Sequence, residues 1–150
     1  MSHDWSKEMI RDLFAGRLSE EESREIHRHK DENRFQKVIE IEQERLGWAE
    51  PILVCLQEHL YVVQTGHGRV VRCECGHEFG DYRHNWKCNA LVYQHTPEAG
   101  EVYVGPRAAS SDWHVLREFY CPGCGSQLDV EAVPRGYPFI FNFLPDLGDE

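Results

Sequence analysis

Four of the six cysteines in this 150-residue chain fall into two short pairs. The first is set in Arg72-Cys73-Glu74-Cys75-Gly76-His77, the second in Tyr120-Cys121-Pro122-Gly123-Cys124-Gly125. Each pair follows a run of strand character and closes on a glycine. That is how a metal knuckle is built. The strand delivers the first thiolate, the backbone turns tightly so that its amides face the sulfurs, and glycine permits the turn. Two knuckles supply four thiolates, which complete a tetrahedral zinc site with zinc–sulfur distances of about 2.3 Å. Cys73, Cys75, Cys121 and Cys124 are therefore the expected ligands of a structural zinc ion. With all four positions filled by sulfur, such a site has no open position at which to activate water.

Competing readings of these residues are weaker. The spacing of Cys73 and Cys75 is tighter than the common C-x-x-C, and the stretch between the knuckles is long enough to contain strands of its own. A redox dithiol at Cys121-Pro122-Gly123-Cys124 would need a low-pKa cysteine, typically at a helix N-terminus. The following Gly125-Ser126-Gln127-Leu128-Asp129-Val130 reads as turn then strand instead. His77, close to Cys75, could replace one cysteine as ligand; His84 reads as a surface or hydrogen-bonding residue. Cys55 and Cys88 sit in expected strands and read as buried small hydrophobes. No nucleophile–base pair, phosphate-cradling loop or paired-carboxylate pattern stands out, so no catalytic or cofactor-binding residue is assigned. Gly66-His67-Gly68 reads as a turn.

Charge narrows the partners. The formal net charge is −10. Nucleic-acid binding depends mainly on cation–phosphate contacts, so such a chain is not expected to bind nucleic acid, nor to sit on an anionic membrane surface. The N-terminal residues have no apolar run after them and read as neither signal peptide nor membrane span. A cytoplasmic location is expected, and in that reducing compartment paired cysteines mean metal far more often than disulfides.

The elements that must position the knuckles begin after Gly47, where the pattern changes. Before it the chain is charged and helical in period. Ser6 caps a helix reaching about Phe14, with Gly16 as its stop. Ser19-Glu20-Glu21-Glu22 has the capping-box form and opens a second helix to about His29. A third runs from Asp31 or Asn33 to Leu46-Gly47, with Phe35, Val38, Ile39, Glu42 and Leu46 on one face and Ile41 off it, either exposed or at a partner contact. From Pro51 the period is two. Strands are expected over Ile52–Leu56, Leu60–Gln64, Arg69–Arg72, Lys87–Tyr93, Val102–Val104, Trp113–Tyr120 and Leu128–Val133. Tyr93, Trp113, Phe119 and Tyr120 read as aromatics packed on the sheet.

The fold class expected is α+β. N-terminal helices (1–47) precede a mostly antiparallel, zinc-ribbon-like β domain carrying the four-cysteine site (48–133). An extended tail (134–150) follows. Pro134, Pro138 and Pro145 bar regular structure from this tail, yet Tyr137, Phe139, Ile140, Phe141, Phe143 and Leu144 are apolar. It either folds back on its own sheet or docks on another chain, and docking is the reading adopted.

One resemblance is specific. Arg72-Cys73-Glu74-Cys75-Gly76-His77-Glu78-Phe79, Asp81 and Asn85-Trp86-Lys87 resemble the gamma (small, zinc-containing) subunits of the acetone/acetophenone carboxylase family. So do Leu116-Arg117-Glu118-Phe119 with the second knuckle, Asp129-Val130-Glu131-Ala132, the helical stretch from Arg34-Phe35 to Trp48, and Tyr137-Pro138. The likeness covers nearly the whole chain in order. The chain ends soon after Pro145-Asp146, and this favours the acetophenone type, because the acetone enzyme's subunit carries a longer extension. What the resemblance implies is a non-catalytic subunit of a biotin-independent, ATP-dependent carboxylase. Such an enzyme phosphorylates a ketone and bicarbonate and joins them into a β-keto acid. ATP and a divalent cation would belong to larger partner subunits of a hetero-oligomer. The four cysteines carry over as zinc ligands, and no catalytic residue carries over. The alternative from another class is a freestanding zinc-ribbon adaptor mediating protein–protein contacts.

Overall fold

Local signals set the three helices. The computed structural model describes residues 3–95 and 113–148. Helix α1 spans Lys7–Phe14, and the Ser6 hydroxyl accepts from the Met9 amide. Helix α2 spans Glu20–Arg28 and has the full capping box: the Glu22 amide donates to Ser19 Oγ, and the Ser19 amide donates to the Glu22 carboxylate. Helix α3 spans Arg34–Leu46 and ends on Gly47 at φ +65°, a left-handed conformation that glycine adopts without a Cβ penalty.

Seven strands follow among the described residues: β1 Ile52–Gln57, β2 Leu60–Thr65, β3 Gly68–Cys73, β4 Glu78–Asp81, β5 Leu91–Gln94, β6 Val115–Tyr120 and β7 Gln127–Val133. They form two antiparallel sheets, ordered β1-β2-β3-β4 and β5-β6-β7. The α+β class expected from the pattern is the one observed. The expected strand over Lys87–Tyr93 is not continuous. Trp86–Asn89 is a single 3₁₀ turn, with Asn85 Oδ1 accepting from the Lys87 amide, and only Leu91–Gln94 pairs. An asparagine cap outcompetes strand pairing there. The expected strand at Val102–Val104 lies outside the described residues. Strand β4 escaped the sequence reading because it is four residues long and includes Gly80.

Three apolar clusters divide the interior. The largest joins the two sheets and holds Val54, Leu60, Val62, Val71, Phe79, Trp86, Phe119 and Leu128, together with Cys73 and Cys121. A second packs Ile39 of α3 on Ile52, Tyr61 and Val63. Strand β2 is thus buried on both faces, Leu60 and Val62 toward one and Tyr61 and Val63 toward the other, which explains its unbroken apolar run. The third cluster is helical: Ile10 of α1, Ile26 of α2 and Ile41 of α3.

That third cluster corrects the reading of α3. Ile41 is neither exposed nor a partner contact; it is the buried meeting point of all three helices, while Phe35 on the supposed inner face is exposed. A helix held between a sheet and a second helical layer needs two apolar faces, which a single-stripe pattern misses. Of the four aromatics expected to pack on a sheet, Phe119 is fully buried and Tyr120 half-buried, whereas Tyr93 and Trp113 are exposed.

The tail runs irregularly and turns back on its own domain. The Arg117 guanidinium donates to the carbonyls of Tyr137 (2.8 Å) and Pro138 (3.2 Å), and Asn85 donates to the carbonyl of Phe139. Phe139 meets Phe119 edge to face at 5.0 Å, and Arg69 holds the Leu147 and Gly148 carbonyls. Backbone and one aromatic face inward, while Tyr137, Ile140, Phe141, Phe143 and Leu144 remain exposed.

Candidate metal centre

Cys73 is the last residue of β3, and Cys121 directly follows β6. Both side chains belong to the core between the two sheets, so packing of the sheets fixes where the first sulfur of each knuckle stands. The second sulfur of each is placed by the turn. In the first knuckle the Cys73 amide donates to the His77 carbonyl (2.8 Å) and the Gly76 amide donates back to the Cys73 carbonyl (2.8 Å). In the second the Cys121 amide donates to the Ser126 carbonyl (2.9 Å) and the Gly125 amide to the Cys121 carbonyl (2.8 Å). The two turns carry the same pair of hydrogen bonds, the first contracted by one residue. This is how a C-x-C spacing does the work of a C-x-x-C.

The sulfurs converge. Cys73 Sγ lies 3.8 Å from Cys124 Sγ and Cys75 Sγ lies 3.7 Å from Cys121 Sγ. All four lie within 4.8 Å of one another, the one such cluster of metal-ligating side chains among the described residues. Disulfide sulfurs would stand about 2.05 Å apart. A tetrahedron whose corners lie about 2.3 Å from its centre has edges of about 3.8 Å. The four thiols therefore fit one tetrahedral metal ion, and they alternate in burial, Cys73 and Cys121 inside, Cys75 and Cys124 at the surface.

The electrostatics agree with a cation. Burial pushes the Cys73 and Cys75 thiols upward. The Ser126 hydroxyl, 3.2 Å away, and the Ser126 amide hold Cys124 down to about 6. Without a positive centre the cluster resists carrying several thiolates, and a divalent ion removes that penalty by binding each sulfur.

Sequence reasoning missed three residues around the centre. Gly123 lies against the opposite knuckle: a Cβ there would fall 2.9 Å from His77 Cβ and 3.1 Å from Cys75 Sγ, so this glycine is required by close approach and not by φ. His59, at φ +67° in the two-residue turn between β1 and β2, accepts the Glu74 amide on its carbonyl (2.9 Å), and its Nδ1 lies 2.8 Å from the Glu74 carboxylate. That buttresses the first knuckle from a distant turn, and no local motif marks it. Ser126 is the third, the hydrogen-bonding neighbour of Cys124.

The other candidates fall outside the cluster. His77 stands beside it, its ring edge-on to Phe79 at 5.0 Å, and His84 is exposed. Cys55 is half-buried on β1, where burial raises its thiol to about 11. Cys88, expected to be buried in a strand, is exposed on the 3₁₀ turn. The Asn85 cap that forms this turn changes which residues face inward, so Trp86 and Lys87 are buried instead.

No helix among the described residues is long and apolar enough to cross a membrane. Comparison with known proteins finds a match of residues 46–149 to the family described as acetone carboxylase gamma subunit. The acetone carboxylase gamma subunit of Xanthobacter autotrophicus is 38% identical over 148 residues, covering 95% of this chain and 88% of that protein. The acetophenone carboxylase beta subunit of Aromatoleum aromaticum is 30% identical over 81 residues, covering 49% of this chain and 60% of that protein. The likeness to the acetone protein is the more extensive of these two, and neither figure selects the acetophenone type.

Proposed function

The chain belongs to the acetone carboxylase gamma subunit family, and from that premise we propose that it is the non-catalytic, zinc-binding small subunit of a ketone carboxylase. The ion proposed for Cys73, Cys75, Cys121 and Cys124 is zinc, because four thiolates at tetrahedral spacing suit it. Its role is structural: it joins the ends of two sheets, and four sulfurs leave no position for water or substrate. The observation that carries this reading is the convergence of the four sulfurs within 4.8 Å in a chain of this family.

The larger partner subunits would hold ATP and a divalent cation. They would carry out the biotin-independent carboxylation of acetone or acetophenone with bicarbonate to a β-keto acid, in the cytoplasm. This chain would serve assembly and stability of that hetero-oligomer. The proposed division of the chain is helical segment 1–47, zinc domain 48–133 and docking tail 134–150, with neither nucleic acid nor membrane as partner.

Native purification with metal analysis tests the reading. The expected result is one zinc per chain, co-purification with larger ATP-using subunits, and no ATP turnover by the isolated chain. Purification with unrelated partners would favour a freestanding adaptor. ATP turnover that scales with the pure chain and survives repurification would overturn the non-catalytic assignment.

A further inference from the structure

The tail is held to the domain by an ionic cluster that no metal chemistry requires. Lys87, 1% exposed, places Nζ 2.6 Å from Glu131 and 2.5 Å from Asp129. Arg117 binds the other Glu131 oxygen at 2.6 Å. This Lys87–Glu131–Arg117 chain also makes hydrogen bonds to the tail. Arg117 takes the Tyr137 and Pro138 carbonyls and stacks over the Phe139 ring at 4.8 Å. Glu131 accepts the Ile140 amide (3.0 Å), and Asp129 accepts the Asn142 side-chain amide (3.0 Å).

Buried ion clusters are poor sources of net stability, since desolvation offsets most of the attraction. What this one achieves is orientation. By holding the tail through its backbone and through Phe139, it turns the other large side chains outward. Tyr137 is 50% exposed, Ile140 40%, Phe141 37%, Phe143 55% and Leu144 54%. An apolar row of this kind marks an interaction surface. A row ordered before binding avoids most of the entropy cost of ordering a loose tail.

The charge of the chain points to the partner. The chain carries −10, and its three buried cations, Arg72, Lys87 and Arg117, are matched by three buried acids, Asp31, Glu42 and Glu131. The outward charge is therefore strongly acidic, and complementarity calls for a cationic partner surface. We propose that Lys87, Arg117 and Glu131 form a clamp that presents residues 137–144 as a preformed apolar ledge. Its partner is an apolar groove rimmed by Lys and Arg on a larger carboxylase subunit. This rests on the subunit reading above.

The test uses the full chain and separately purified larger subunits. In the free chain, the Ile140 amide should be protected from hydrogen exchange, and Glu131→Gln should abolish that protection with metal content unchanged. Exchange of Ile140 at the rate of an unstructured peptide in the wild type overturns the clamp. The double variant Phe141→Ser, Phe143→Ser changes only outward side chains, so its melting temperature and metal content should match wild type. It should bind the larger subunits at least tenfold more weakly, about the effect of losing one well-buried apolar anchor. Wild-type binding should weaken severalfold between low and high salt. Affinity within twofold of wild type for the double variant overturns the ledge, and salt-independent binding overturns the cationic rim. If the wild-type chain does not bind the larger subunits at all, it is the subunit reading that fails.

Discussion

Residue by residue, the centre divides its four sulfurs into two roles. Cys73 and Cys121 are core residues as well as the proposed ligands, so removing one is expected to lose both metal and packing. Cys121→Ser is expected to lose the ion and lower the melting temperature, read by metal analysis and thermal unfolding. Cys88→Ser should keep full metal and change stability by less than about 0.5 kcal/mol, because the thiol is exposed and surface substitutions rarely do more. Gly123→Ala should fold yet release its metal to a chelator faster than wild type, because the added methyl meets His77 and Cys75. Cys55 gives a pH test away from the metal. Burial raises its thiol from an ordinary value of 9.0 to about 11, so the unfolded chain releases that proton first. The resulting stability is complete below pH 9 and is lost as pH rises toward 11. The full linkage would be under about 3 kcal/mol, reduced because Cys55 is only half-buried and partly screened by solvent. Melting midpoints of wild type and Cys55→Ala should therefore converge between those pH values.

Helix α3 is the element on which the helical layer depends, because one side packs on β1 and β2 and the other on α1 and α2. The helical cluster shares no residue with the core that contains Cys73 and Cys121. Ile41→Ala is thus expected to cost about 2–5 kcal/mol, measured by denaturant unfolding, and to leave metal content unchanged. Phe35→Ala, on the exposed side, should fall within about 0.5 kcal/mol of wild type. Loss of metal in Ile41→Ala would mean that the helices and the metal domain unfold as one unit. The same contrast explains which elements were readable. Capping residues acting over three or four positions, such as Ser6, Ser19 and Gly47, announced all three helices. The second apolar face of α3 answers to α1 and α2, which lie far off in the chain.

At the scale of the whole molecule, the tail ties the structure together. Cutting after Val133 would strip Arg117 of two carbonyl acceptors, uncover Phe119 and free Arg69 from its two carbonyls. Arg117 would keep Glu131, but a buried cation that loses two of its acceptors still forfeits stability. The truncated chain is therefore expected to melt at lower temperature and to yield its metal more readily to a chelator. An unchanged melting temperature would show that these contacts carry no weight in solution. For this reason substitutions on the outward side chains, and not truncation, are the informative way to separate assembly from folding.

The α+β class, the helix ends and the four cysteines of the knuckles were legible in the residues alone. Each of these is written in residues near one another: a cap three positions from its amide, a glycine beside its turn, a thiol two or three positions from the next. The folded chain was needed to show that Ile41 lies inside, that Cys88 lies outside, that Gly123 touches the opposite knuckle and that His59 braces Glu74. It also showed the tail's backbone turned back on its own domain. The backbone of residues 137–140 answers to Arg117 and Glu131, partners whose positions depend on the pairing of β6 with β7. Burial and ionic pairing between segments far apart in the chain arise when the sheets close on one another, and no local pattern of residue types encodes which side chains then face each other.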